Sequence, residues 1–197
     1  VFLNYNNITD GDFSGFTNVK KLHVGDNELD SFTSPNPDEL NFVGNPFSVS
    51  APDLSAIDGD VAIDLDDSNP PRGKSQKYIM PSQQKVDALK TLSTSSTLNV
   101  KLTARNIPLP DETWWTESRI VELTSGGSEI DSPETSKLPD ACVKVELSET
   151  NLSEFNDIPT NLVSLSLKNN EFLQNIQLAS QTNLQSVNFD KNDFLYD

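Results

Sequence analysis

The sequence predicts an α/β solenoid, with a curved parallel β-sheet on its concave side and short helices, 3₁₀ turns and loops on its convex side. One observation is a triplet of the form apolar-x-apolar, followed three residues later by asparagine. It recurs along the chain at steps of about 18–24 residues, a period typical of repeat proteins. The other is that only 35% of the residues are hydrophobic. Such a low hydrophobic fraction suits a stack of repeats, which buries a thin continuous strip of apolar side chains rather than a globular core.

Three copies of this pattern are complete. Residues 19–29 read VKKLHVGDNEL, residues 162–172 read LVSLSLKNNEF and residues 184–194 read LQSVNFDKNDF, so all three fit the form LxxLxLxxNxL, the last ending on Phe194. Shorter copies occupy residues 1–8 and 40–47. The asparagine slot of these copies holds Asn6, Asn27, Asn45, Asn170 and Asn192. In this form the sequence resembles the leucine-rich repeat family.

The alternation within each triplet predicts the sheet. On a short strand the two apolar side chains point inward and the middle residue points outward, so stacked copies form a parallel sheet. The family resemblance implies that each slot asparagine bonds the backbone of the next turn with its side-chain amide, which would make an Asn ladder. Another copy, at residues 142–152, has Thr150 in the slot, and a hydroxyl makes such bonds less completely.

Weaker copies lie in the middle of the chain. The triplets at residues 63–65, 100–102 and 121–123 are followed by other residue types in the slot, namely Ser68, Arg105 and Gly126. The step from Leu65 to Leu102 is about twice the usual repeat length. Either a degenerate turn around residues 78–80 lies inside this step, or a loop is inserted there.

The irregular section at residues 66–99 contains one predicted helix. Ser82 is placed to cap it, Lys85 and Lys90 are expected to face outward, and its apolar face consists of Val86, Leu89 and Leu92. Strand copies resume after this section. We therefore expect residues 1–197 to form a single domain of about nine turns. Because no capping unit is visible at either end, we also expect it to be a fragment of a longer chain.

Charge and composition exclude several function classes. The formal net charge is −16, with 30 Asp and Glu against 14 Lys and Arg, so the chain repels nucleic-acid phosphates and anionic membranes. Cys142 and His23 are single residues of their types, which excludes an internal disulfide, Cys-rich zinc sites and His-pair metal ligation. No phosphate loop, nucleophile elbow or paired-carboxylate motif is present. We expect no enzyme activity, cofactor or metal in this segment.

Several conspicuous side chains have a structural interpretation. Cys142 occupies an apolar slot and is expected to be a buried small hydrophobe. Trp115 falls in the slot of Phe16 and is expected in the core, whereas Trp114 could either make a contact on the convex side or cover the loop.

An acidic cluster lacks the spacing of an EF-hand loop. We interpret it as a solvated face, with calcium bridging between repeats as the alternative; its members are Asp58, Asp60, Asp64, Asp66 and Asp67.

The outward residues of the strands predict a protein-recognition surface. Acidic residues dominate its central strands, so we expect a basic or polar protein or peptide partner, and neither nucleic acid nor direct membrane contact. We interpret His23 as a surface residue, with a pH-sensitive contact as the alternative. The candidate contact residues on the concave face are His23, Asn41, Asp64, Asp66, Lys101, Glu122, Glu146, Ser166, Lys168 and Asn188.

Two hypotheses on biological context follow. The stretch Asn45–Val49 resembles the ectodomains of oomycete receptor-like (tyrosine-kinase-like) kinases, which implies an extracellular, signal-transducing segment of a membrane receptor with the kinase outside this segment. The glycosylation sequons at Asn7 and Asn151 favour this slightly. The alternative is a cytosolic scaffold or regulatory protein, since one free cysteine fits a reducing compartment.

Overall fold

A computed structural model describes residues 1–67, 78–92, 98–131 and 137–192. The chain divides into two compact units, Val1–Arg105 and Asn106–Asp197, and each unit is built as a parallel β-solenoid. The predictions made for Ser68 and Phe194 lie outside the described residues.

The first unit is built on four parallel strands that pair in sequence order. Leu22, Leu40 and Ile63 align across the first three strands and are buried. The alternation of the triplets thus places one apolar row in the core, as predicted. The elements are β1 (Lys21–His23), β2 (Glu39–Asn41), β3 (Val61–Leu65), helix α1 (Ser82–Lys90) and β4 (Val100–Ala104).

The second unit repeats this arrangement and adds a second small sheet. Its main sheet has the strand order β5-β6-β8-β10, all parallel, and β7 pairs with β9 in parallel. The elements are α2 (Thr113–Thr116), β5 (Ile120–Gly126), β6 (Lys144–Ser148), β7 (Glu154–Phe155), β8 (Ser164–Lys168), β9 (Asn175–Ile176) and β10 (Ser186–Asn188).

A residue in the left-handed region ends nearly every strand turn. Its positive φ redirects the chain out of the strand, just before the slot that holds asparagine in the complete copies. At Gly44 the positive φ suits glycine, and a Cβ there would also crowd the side chain of Asp26. The residues with this conformation just before a slot are Tyr5, Asp26, Gly44, Asn106, Gly127, Glu149, Asn169 and Lys191.

The slot asparagines bond the preceding turn, not the next one. Asn27 Nδ2 donates to Leu3 O at 2.9 Å, and Asn27 Oδ1 accepts from Ile8 N at 3.2 Å. Asn45, Asn170 and Asn192 also reach back one turn in this way. The bonds of Asn6 go to its own turn, at Leu3 O and Asn4 O. The direction expected from the family resemblance was therefore wrong.

The pattern was placed two residues too early in β4 and β5. The left-handed residues Asn106 and Gly127 show that the slots are Ile107 and Ser128, not Arg105 and Gly126. No asparagine marks the slot after these strands, and the last inward residue is small, Ala104 in β4 and Ser125 in β5. The triplet therefore fits better two residues earlier, on the larger apolar side chains.

The section at residues 66–99 lies between two strands that are neighbours in the sheet. Strand β3 pairs directly with β4, with Leu65 aligned to Ala104. Helix α1 lies between them in sequence. Its first residue is Ser82, and no side chain caps it, so the predicted Ser82 cap was wrong.

Helix α1 buries a lysine. Lys85, which we expected to face outward, has 0% exposure, while Val86 and Leu89 are buried as predicted. Lys85 Nζ lies 3.0 Å from Asp67 Oδ1 and donates to Arg105 O at 2.7 Å. The periodicity correctly identified the helix, but not this long-range ion pair.

Other apolar predictions had mixed outcomes. Trp115 and Cys142 are both fully buried, as expected, and Trp115 Nε1 donates to Lys137 O at 2.8 Å. Phe172, expected to fill an inward slot, is 50% exposed, and Leu173 is buried. The chain takes one additional residue to turn inward there.

Candidate functional site

Two rows of side chains cover the solvent side of the first unit's sheet, which we call the first outer face. One row is formed by residues that align at the start of the strands. The other follows two residues later along each strand. The rows are Lys21, Glu39, Ala62 and Lys101, and then Phe2, His23, Asn41, Asp64 and Thr103.

Glu39 is the centre of a polar network on this face. Its carboxylate accepts a hydrogen bond from Lys21 Nζ and lies 2.7 Å from His23 Nε2. The hydrogen bond from Lys21 is the main cause that lowers the pKa of Glu39. The ring of Phe2 packs edge-on against the ring of His23, and the two ring centroids are 4.7 Å apart. His23 is thus a partly buried member of a network rather than an isolated surface residue.

Asp64, on the neighbouring strand β3, has a different environment. Asn41 Nδ2 donates to Asp64 Oδ2 at 3.0 Å, and the backbone N–H of Asp66 donates to Asp64 Oδ1 at 3.0 Å. Burial nevertheless raises the pKa of Asp64, because desolvation outweighs these bonds. The face therefore orients its polar groups before any ligand is present.

Three aligned rows form the second outer face, on the second unit. This face is rich in serine, and it carries charges of both signs. Lys168 Nζ lies 3.6 Å from Glu146 Oε1. The rows are Glu122, Lys144, Ser164 and Ser186; then Thr124, Glu146, Ser166 and Asn188; then Ser148 and Lys168.

The register correction moves two candidate contact residues to another row. Lys101 aligns with Ala62, not with Asp64, and Glu122 aligns with Lys144, not with Glu146. The middle row holds Thr103 and Thr124 instead, both exposed and neither among the candidate contact residues. The residue with positive φ that precedes each slot fixes the register and thereby identifies these two positions. The apolar pattern of the sequence does not reveal which residue has positive φ.

The outer faces carry more positive charge than the sequence suggested. Lys21 and Lys144 lie in the first rows, beside Glu39 and Glu122. Glu39 and Glu122 thus each have a lysine as a row neighbour, so the charge of the first rows is mixed rather than uniformly acidic.

No protein-family model, curated protein or solved structure matches this chain.

The acidic cluster does not converge on one point. Asp58 bonds Asn36, and Asp60 accepts from Asn99. Asp67 is buried against Lys85, so its expected solvation was wrong. In the described part of the chain no group of three or more His, Cys, Asp or Glu side chains is arranged to hold a metal ion.

The remaining candidate residues lie away from the outer faces. Both sequon asparagines, Asn7 and Asn151, are exposed. Burial raises the pKa of the Cys142 thiol to about 12, which makes it unreactive near neutral pH. No helix among the described residues is long and apolar enough to cross a membrane.

Proposed function

We propose that this chain is a leucine-rich repeat module that binds a protein or peptide ligand through its outer faces. The repeat identity is supported by the parallel strands, the positive-φ turns and the asparagine bonds to the preceding turn. The observation that carries the function is the register. It places side chains of adjacent turns in straight rows on a rigid sheet, already linked by hydrogen bonds.

Such rows favour recognition of a polar polypeptide. The groups that face solvent alternate among carboxylates, lysines, amides and hydroxyls, and a rigid array loses little conformational entropy on binding. Electrostatic complementarity then selects the partner and speeds association. We propose a basic or polar partner, with affinity that falls as salt concentration rises.

A displayed random-peptide library selected against the whole chain tests this proposal. Thr103→Arg and Thr124→Arg place a bulky charge on each outer face, and we expect each to weaken binding of the peptides selected on its unit at least tenfold. The matched controls are Thr9→Arg and Thr182→Arg, which change exposed loop threonines. Binding that survives both face variants and is lost in a control would contradict the proposal.

A second candidate is that the segment works outside the cell, as the sensing part of a receptor. The exposure of Asn7 and Asn151 favours it, because glycosylation needs an accessible side chain. Burial of Cys142 removes an argument for the cytosolic alternative, since a shielded thiol is compatible with either compartment. Expression in a secreting eukaryotic host, followed by glycosidase treatment, tests it. A mass shift that is lost in Asn151→Gln supports it, and unmodified secreted protein contradicts it.

A further inference from the structure

A cleft of about 320 Å³ opens on the first outer face. It lies where β2, β3 and β4 begin, and its floor is formed by Val61 and Ala62. The remaining lining residues are Asp38, Asp60, Asn99 and Lys101. All of them belong to the first unit.

The register explains why the cleft exists. Ala62 aligns with Glu39 on one side and Lys101 on the other. Its side chain is a single methyl group between two long ones, so the row has a gap at this position. The gap has an apolar floor and polar walls, which is the usual composition of a specificity pocket.

Two carboxylates, those of Asp38 and Asp60, line the cleft. Asn99 Nδ2 donates to Asp60 Oδ1 at 2.7 Å, and Lys20 Nζ lies 3.3 Å from Asp38 Oδ1. These contacts hold both side chains in place. Each carboxylate still has acceptor capacity, because two oxygens provide about four lone-pair sites.

We infer that this cleft receives an arginine side chain of the ligand; the inference rests on the proposed function. The aliphatic part of an arginine suits the floor at Ala62 and the stem of Lys101. Its planar guanidinium has five donors in a fixed fork, which match the oxygens of Asp38 and Asp60. The net charge of −16 further favours a cationic group. The cleft would make Ala62 a specificity-determining position of the first outer face.

The first test uses N-acetyl-arginine methylamide as the probe, with backbone amide NMR shifts of the whole chain as the readout. We expect shifts centred on residues 60–62 and 99–101, and binding at least tenfold weaker for the citrulline analogue, which has the same shape without the charge. The double variant Asp38→Asn, Asp60→Asn should bind N-acetyl-arginine methylamide at least tenfold more weakly than the unmodified chain does. Equal binding of citrulline, or of the lysine analogue, would overturn the arginine assignment.

The second test separates this inference from the proposed function. Ala62→Phe fills the cleft, and Ala56→Phe is its matched control because Ala56 is an exposed alanine of the same unit that lies outside the rows of the outer face. Peptides selected on the first unit should lose at least tenfold in affinity with Ala62→Phe and keep their affinity with Ala56→Phe. Peptides sensitive to Thr103→Arg but indifferent to Ala62→Phe would overturn the inference and leave the proposed function standing. The citrulline comparison needs no variant, so it decides the matter even if Ala62→Phe misfolds.

Discussion

Two kinds of turn hold the strands of the first unit in register. At Asn45 a neutral amide, 1% exposed, donates to Phe42 O at 2.8 Å and to Val24 O of the preceding turn at 3.0 Å. In the long turn after β3 the buried group is the Asp67–Lys85 pair. Lys85 Nζ donates to Arg105 O at 2.7 Å, and Asp67 Oδ2 accepts from Met80 N at 2.8 Å.

The two turns solve the same problem at different cost. Backbone groups that leave a strand and turn inward must find partners, because an unpaired buried polar group is costly. An amide supplies both a donor and an acceptor without charge. An ion pair does so only by removing two charges from water, so each charge depends on the other. The longer turn should therefore be the more vulnerable to a single substitution.

Lys85→Met should produce the largest effect. It leaves the Asp67 carboxylate buried without its cation and Arg105 O without its donor. We expect the free energy of unfolding to fall by about 3–5 kcal/mol, measured by urea denaturation. Lys90→Met is the matched control, because Lys90 lies on the same helix but is exposed, and it should change stability by less than about 0.5 kcal/mol.

The double variant Lys85→Met, Asp67→Asn sharpens this test. Asparagine removes the uncompensated charge and keeps an oxygen that can accept from Met80 N, so part of the lost stability should return. A double variant less stable than Lys85→Met alone would show that the pair is not the reason for the vulnerability of this turn.

Asn45→Ala should produce the next largest effect. The substitution leaves Leu29 N without its side-chain acceptor and removes the amide donor from Phe42 O and Val24 O, of which Val24 O keeps a bond from Asn27. We expect a cost of about 2–3 kcal/mol in the free energy of unfolding. Asn6→Ala is the comparison, since Asn6 is exposed and bonds its own turn. We expect it to cost under about 1 kcal/mol. Equal losses in the two variants would refute the idea that bonds between turns stabilise the stack.

Asp64→Asn should produce the smallest effect, and its sign is opposite. Because burial raises the pKa of Asp64, its ionisation opposes folding. The protonated form of Asp64 contributes to the free energy of unfolding. This contribution is complete below the pKa of the unfolded chain, about 3.9, and is lost as pH rises through the higher pKa of the folded protein. The variant should therefore be more stable at pH 7, by less than about 1 kcal/mol after solvent screening. Thermal unfolding should show that this gain disappears when the pH falls below about 4. A stability loss at pH 7 would contradict the account.

The sequence predicted the repeating strands more reliably than the groups that hold them. Leu22, Leu40 and Leu165 follow local alternation, and local alternation is visible in a single sequence. Lys85 is different, because its burial depends on Asp67, eighteen positions earlier in the chain. The Ala62 cleft likewise requires the register between three strands. In β4 and β5 no asparagine marks the slot, so the sequence alone allows two registers that differ by two residues.

The central claim is that ligands bind the outer faces, and lysine acetylation of the whole chain tests it most directly. A selected peptide should protect the outer-face lysines of the unit it binds, Lys21 and Lys101 in the first or Lys144 and Lys168 in the second. Lys90, exposed on helix α1, should react equally with and without peptide. Protection of Lys90, with unchanged acetylation of all four outer-face lysines, would contradict the account.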